Sequence, residues 1–211
     1  MYKSNTPTEY RQELRHKILA IASREFKAKG IRAVKMDDIA GILSISKRTM
    51  YEIYKNKEQL LMESVREDYK KFDAQMQLYL SSNERHVIDI ILKFYQLQMR
   101  SLSGINPVYY TELHRYPEII TWIEKTHQQR RQNTQQFFKQ GIEEGYFRPD
   151  ANYEIISKVS DGTINYIIEQ QLYKQYDLQD IFHNVIMLFL RGLCTLKGIG
   201  EFDSKIAGMN Y

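Results

Sequence analysis

Two short apolar-patterned segments, separated by three residues, constrain this chain more than anything else in it. Met36, Ile39, Ala40 and Leu43 recur at steps of one helical turn. Met50, with Ile53 or Tyr54, resumes the pattern after Ser44-Ile45-Ser46. That spacing predicts two short helices joined by a tight turn, the arrangement of a helix-turn-helix. Upstream, Leu14, Ile18, Ala22 and Phe26 fall at four-residue intervals within 9–29 and form one buried stripe. Gly30 ends that helix, and Ile31 is the apolar contact expected after a glycine C-terminal cap. Asp37 and Asp38 fall in the first turn of the next helix, where the dipole favours acids.

The remainder is also helical in pattern. Asn56 caps a fourth helix, with Gln59 completing a capping-box-like pair, and the helix runs through Leu60, Leu61, Val65 and Tyr69 toward Leu80. Further helices are expected over 84–101, between Pro107 and Tyr116, and over 118–144, 152–175 and 178–197. No alternating strand or hairpin turn is visible. The expected fold class is all-α, about nine helices: three short ones, a connecting helix and a five-helix body. Boundaries fall at 1–57 for the head and 58–200 for the body, with a flexible tail at 201–211.

Charge is unevenly placed along this arrangement. Residues 1–57 hold thirteen Lys and Arg against six acids, a surplus of seven, while the rest holds seventeen bases against twenty acids. A basic head on a mildly acidic body suits a polyanion, although a merely solvated basic surface has the same composition. The local placement is more specific. Ser46 is a good N-cap, yet Lys47 and Arg48 follow it in the first turn, and Lys57 follows the Asn56 cap. Cations there oppose the helix dipole by about 0.3–1 kcal/mol each. Phosphate oxygens would remove the conflict; the plainer alternative is exposed cations whose misplacement costs little.

Residues 9–61, through the run from Gly30 to Leu61, resemble the N-terminal domain of the tetracycline-repressor (TetR) family of bacterial transcription regulators. Asp38-Ile39-Ala40, Ile45-Ser46, Thr49-Met50-Tyr51, Tyr54 and Asn56-Lys57-Glu58-Gln59-Leu60 carry the resemblance. Lys35 stands where the family has a capping threonine, Ser44 where it has a turn glycine, and Arg48 where it often has a small residue. The resemblance implies a DNA-binding head with Lys35, Ser46, Lys47, Arg48, Thr49, Tyr51 and Lys57 at the DNA. Lys47 and Arg48 would reach base edges, and Thr49, Tyr51 and Lys57 would contact phosphate. Met50 and Tyr54 would be structural; Glu52 would face out and either exclude wrong bases or do nothing.

For the body the resemblance implies effector binding and dimerisation. Val185-Ile-Met-Leu-Phe-Leu190 is apolar on every face, as a helix with partners on both sides must be. A large monomer core would explain it too. A homodimer would use Ile155, Val159, Ile167, Val185, Leu188 and Phe189. Tyr95, Met99, Tyr109, Trp122, His127, Asn165 and Tyr166 are the candidate contacts of a small organic effector.

Other chemistries have little support. The one cysteine, Cys194, excludes an internal disulfide and fits a reducing compartment, here the cytoplasm. The five histidines show no metal-binding spacing, and no nucleophile elbow or phosphate loop is present, so neither enzyme, metal nor cofactor is expected. No apolar run reaches the roughly 20 residues that span a bilayer, and no secretory leader is seen. The expectation is therefore a ligand-responsive repressor bound as a homodimer to a palindromic operator in double-stranded DNA. A helical protein-interaction module with a degenerate head, or a non-specific DNA binder, are the alternatives.

Overall fold

The structure is a computed structural model and describes residues 7–81 and 85–207, the side chains of 7, 8, 131–134, 161, 164, 165 and 168 excepted. Those residues form ten α-helices: α1 (Pro7–Lys29), α2 (Met36–Ile42), α3 (Lys47–Ile53), α4 (Lys57–Ser81), α5 (Val87–Leu102), α6 (Val108–Leu113), α7 (Pro117–Glu143), α8 (Tyr153–Glu169), α9 (Leu178–Leu193) and α10 (Leu196–Ala207). A single antiparallel bridge, Phe147 to Cys194, is the only extended pairing among them.

The chain divides into two compact units. The first runs through Asp73 and takes in Gly104–Ile120, so it extends past the expected boundary at 57 and recruits α6. Its core is the stripe of α1 (Leu14, Ile18, Ala22, Phe26) with Ile31, Ile39, Met50, Tyr54, Leu60 and Leu61, all buried. Gly30 closes α1 at φ 86°, and its N–H donates to the Phe26 carbonyl at 2.9 Å. A side chain at Gly30 would be strained by that φ and would also press on Glu112 and Val108. Two bonds tie the corner after α1 to later elements. Arg32 N–H donates to the buried Glu112 carboxylate of α6, and Asn106 N–H donates to the Lys27 carbonyl.

The second unit holds Ala74–Ser103 and the chain from Thr121 onward. Val87, Ile88, Ile91 and Leu92 of α5 pack with Tyr146, Phe147, Cys194 and Phe202. Phe147 lies at 5.6 Å from the Phe137 ring and 6.0 Å from the Phe138 ring. Gly141 leaves the room for it, since a Cβ there would fall 2.0 Å from the Phe147 ring.

Three expectations in this unit are corrected. The helix expected over 152–175 stops at Glu169, because Gln171 takes a left-handed conformation (φ 53°) and a 3-10 turn, Leu172–Lys174, follows. The helix expected to reach 197 breaks at Cys194, which is extended. Thr195 then starts α10, accepting from Gly198 N–H at its hydroxyl, where the sequence suggested a flexible tail from 201. Phe202 is 2% exposed, and Lys205 reaches Asp89 on α5 at 2.6 Å, so the described part of that tail is packed helix. Residues 208–211 lie outside the described residues.

Candidate nucleic-acid interface

The second and third helices are set by short-range chemistry. At α2, Lys35 N–H donates to Asp38 Oδ2 at 2.8 Å, half of a capping box whose hydroxyl half a threonine would have supplied. The turn passes through Ser44 at φ 53°, the conformation for which a glycine is the easier residue. Ser46 then caps α3: its Oγ accepts from Thr49 N–H at 3.0 Å and lies 2.8 Å from Thr49 Oγ1. Met50 and Tyr54 face inward and are fully buried.

Tyr54 anchors the far end of α3. Its hydroxyl donates to Glu63 of α4, which also pairs with Arg15 of α1, and the Arg15 guanidinium stands 5.3 Å over the Tyr54 ring. Burial, then the Glu63 charge, push the Tyr54 phenol well above its usual value, so it stays a neutral donor. Arg11 of α1 donates to the Glu52 carbonyl at 3.0 Å and satisfies one of the last carbonyls of α3.

With α3 fixed from behind, its outer face carries Lys47, Arg48 and Tyr51, all exposed, Arg48 at 89% and Tyr51 at 47%. Each cation has a carboxylate beside it. Lys47 Nζ lies 2.6 Å from Asp37 Oδ2, and Arg48 Nε donates to Glu52 Oε1 at 2.8 Å. These bonds hold both cations above their usual pKa values. Exposed pairs of this kind contribute little to stability.

Lys57 is placed differently. Its ammonium turns back into the first unit and donates to the carbonyls of Ile31 and Val34 at 2.8 and 3.0 Å. Burial lowers its pKa. The dipole conflict read at Lys57 is thus relieved by two carbonyl oxygens of the α1–α2 corner. Sequence reasoning singled out the exposed cations of α3, but it missed Arg11 and gave Asp37 only a dipole role. The Arg48–Glu52 spacing of four was legible. The Arg11–Glu52 contact, 41 residues apart, was not.

The candidate effector residues are divided between the two units. Tyr109 is buried in the first unit, edge-on to Tyr110 at 5.3 Å. In the second unit Tyr95 is fully buried, stacks on Phe182 at 5.7 Å, and its hydroxyl lies 2.7 Å from His183 Nδ1. Met99, one turn on, gives its carbonyl to Gln179 Nε2 at 3.1 Å. Gln179, Phe182 and His183 therefore line up at helical spacing on α9 opposite Tyr95 and Met99; none of the three was singled out from sequence. Trp122 is half-buried, His127 and Tyr166 are exposed, and the Asn165 side chain lies outside the described residues.

Of the six candidate dimer residues, Ile155 and Val159 lie on one stripe of α8, and Val185, half-buried, and Leu188 lie on one stripe of α9. Ile155, Val159, Gly162 and Tyr166 follow each other at steps of four, three and four on α8, with Ile155 58% and Val159 54% exposed. Ile181, Val185, Leu188 and Gly192 repeat those steps on α9, with Leu188 72% exposed. Ile167 and Phe189 are half-buried. Among the described residues no group of His, Cys, Asp and Glu could hold a metal ion, and no helix is long and apolar enough to cross a membrane.

Residues 18–63 match the family described as bacterial regulatory proteins, tetR family. The HTH-type transcriptional repressor KstR2 of Mycobacterium tuberculosis is 27% identical over 154 residues, covering 67% of this chain and 73% of that protein. The structure of KstR2, a ketosteroid transcriptional regulator of the same organism, superimposes with a TM-score of 0.59 at 22% identity over 86% of this chain and 95% of that one. A transcriptional regulator from Saccharomonospora viridis in complex with choline gives 0.69 at 20% identity over 87% and 99%. Head, fold and relatives together define a DNA-binding regulator of the helix-turn-helix type. Within that class, the likeness to the TetR family of bacterial regulatory proteins is carried by residues 18–63 and by these relatives.

Proposed function

We propose that this protein is a cytoplasmic transcriptional repressor that binds a palindromic operator as a homodimer and releases it when a small organic effector enters the helical body. The observation that carries this reading is the outer face of α3. Lys47, Arg48 and Tyr51 stand exposed on a helix whose other face is locked by Met50 and Tyr54. A helix presented N-terminus first, with cations on its leading turn, suits the major groove. Lys47 and Arg48 read base edges, Arg48 bidentate to guanine, and Thr49 and Tyr51 set register on phosphate. Lys35 lies at the entrance to α2 and Ser46 at the cap of α3, both exposed, close to where the backbone would pass. Lys57 keeps one N–H beyond its two carbonyl partners and adds a phosphate contact from α4.

Dimerisation is supported by the exposed apolar residues Ile155 and Val159 of α8 and Leu188 of α9. Two-fold symmetry then matches a palindrome. Effector binding is supported by the nature of the relatives, one a ketosteroid transcriptional regulator and one holding choline. Tyr95 and Met99 with Gln179 and His183 offer aromatic, thioether and amide groups of the kind that recognise such molecules. Effector and operator then weaken each other reciprocally.

The test is selection of bound sequences from random duplex DNA by the full chain at two salt concentrations. A palindrome with half-sites about one helical turn apart is the expected result. Arg48→Ala then weakens binding to that palindrome far more than to scrambled duplex. Retention of DNA at low salt only, with no sequence emerging, would make the protein a non-specific binder instead. Failure to retain DNA at all would sink the reading.

A further inference from the structure

Three helices of the first unit meet at the Glu63 carboxylate of α4. Both of its oxygens accept from Arg15 Nη2 of α1, and Oε2 also accepts from the Tyr54 hydroxyl at 3.2 Å. Its side chain is 22% exposed, against 55% for Glu52 on α3. Tyr54 is the residue that closes α3, and it is fully buried. One turn before Arg15, Arg11 donates to the Glu52 carbonyl of α3. The C-terminal end of α3 is thus gripped from α1 and α4, while Ser46 caps its other end. These contacts divide the work. α3 is about two turns long, and apolar packing has no preferred direction. Met50 and the Tyr54 ring keep α3 against the core; hydrogen bonds, which are directional, fix its angle.

We propose that Glu63 is a positioning residue for sequence recognition, fixing through the Tyr54 hydroxyl and Arg15 the angle at which α3 enters the major groove. The proposal rests on the DNA-binding reading above. Base edges are met only when the reading side chains stand within about 0.5 Å and 10–20° of the productive geometry. A head whose α3 rocks among several angles binds the correct site only through the fraction that is correctly aimed. Its apparent affinity for that site falls by the same fraction. Scrambled duplex is held by cations against phosphates, and every angle serves it about equally. Loss of the network therefore lowers specific binding and leaves non-specific binding as it was.

The experiment measures the affinity of the full chain for the selected palindrome and for scrambled duplex, well below the melting temperature. Their ratio is the readout, because a uniform effect of altered charge cancels from it. Tyr54→Phe removes the hydroxyl and keeps the ring and every charge. It should lower the ratio about three- to tenfold, with scrambled binding within about twofold of wild type and an unchanged salt slope. Glu63→Ala should lower the ratio at least as far. Glu63→Gln, whose amide oxygen still accepts from Tyr54, should recover most of the loss. Ile18→Val, a core substitution that removes none of these bonds, is the control for lost stability. It should lower the melting temperature and leave the ratio unchanged. If Tyr54→Phe and Glu63→Ala melt earlier but discriminate as the wild type does, the network only stabilises the fold. The proposal is then wrong while the DNA-binding reading stands. A Glu63→Gln chain no better than Glu63→Ala would also overturn it, since the charge and not the hydrogen bond would be acting. Equal losses on the two DNAs would overturn it as well. Should Glu63→Ala fail to fold, Tyr54→Phe decides. A wild type that does not discriminate would remove the underlying reading itself.

Discussion

The backbone N–H of Arg32 donates to Oε2 of Glu112 at 2.8 Å, across eighty residues of chain. The bond joins the corner between α1 and α2 to α6, and Glu112 is buried there. Lys57 binds the same corner from α4 through Ile31 and Val34. Glu112→Ala removes the acceptor and leaves the Arg32 N–H without it, a loss of about 1–3 kcal/mol. Glu112→Gln keeps a carbonyl oxygen of the same reach and should recover at least half of that. Urea unfolding followed by circular dichroism checks both. Equal stability of Ala and wild type would show that the contact contributes nothing.

Ser44 holds φ 53° in the turn before α3. A left-handed backbone costs a residue with a Cβ about 1–2 kcal/mol, while glycine gives back about 0.4–1 kcal/mol through the entropy of its unfolded chain. Ser44→Gly should therefore stabilise the head by up to about 1 kcal/mol. It should leave discrimination between palindrome and scrambled duplex within twofold, because Ser46 and not Ser44 caps α3. A lower melting temperature for Ser44→Gly would mean that the serine side chain makes a compensating contact.

Phe202 sits in the core of the second unit with Val87, Ile88 and Phe147. A phenylalanine in a flexible tail would tolerate any substitution. In a core, Phe202→Ala should cost about 3–5 kcal/mol. Lys205→Ala, which removes the pairs with Asp89 and Glu201, should cost under about 1 kcal/mol because these side chains remain partly solvated. Chemical denaturation of the two variants side by side gives the comparison. A Phe202→Ala variant as stable as wild type would return the segment to a tail.

The head was legible because its signals are local. Gly30, Ser46, Asn56 and the apolar steps of α1 to α3 each act within one or two helical turns, and each lies where the spacing puts it. The Asn56 cap is made as expected, with its side chain accepting from Gln59 N–H. The returning Gln59 bond goes to Lys55 N–H, one residue earlier than a standard capping box. The body was less legible because its breaks are tertiary. Nothing in Leu193-Cys194-Thr195 forbids a continuing helix by propensity alone. The break accompanies the bonds of Arg148 N–H to the Leu193 carbonyl and Thr195 N–H to the Tyr146 carbonyl, each spanning more than forty residues. Gly198 and Gly200 weaken the helical signal by propensity, although Gly198 is needed for close approach to the Tyr146 carbonyl. At the head's surface, residue types were readable and pairings only partly so. Arg48 with Glu52 is a spacing of four, whereas Lys57 with Ile31 and Val34 depends on how the helices pack.

Leu188 is the most exposed residue of the α9 stripe, with Val185 one turn before it and Gly192 one turn after. In the proposed homodimer, a leucine so open to water is the surface that the other subunit would cover. Leu188→Glu would place a charge at the centre of that seam and should raise the dimer dissociation constant at least about a hundredfold. Because the side chain is solvated within one chain, the variant should keep its helicity and its melting midpoint when both are compared as monomers. Sedimentation equilibrium distinguishes the species. Binding to a single half-site should survive in the variant while tight binding to the full palindrome is lost, since each head then binds alone. A Leu188→Glu chain that remains dimeric would place the seam elsewhere, and a wild type that is monomeric at micromolar concentration would remove the two-fold symmetry on which the palindromic operator depends.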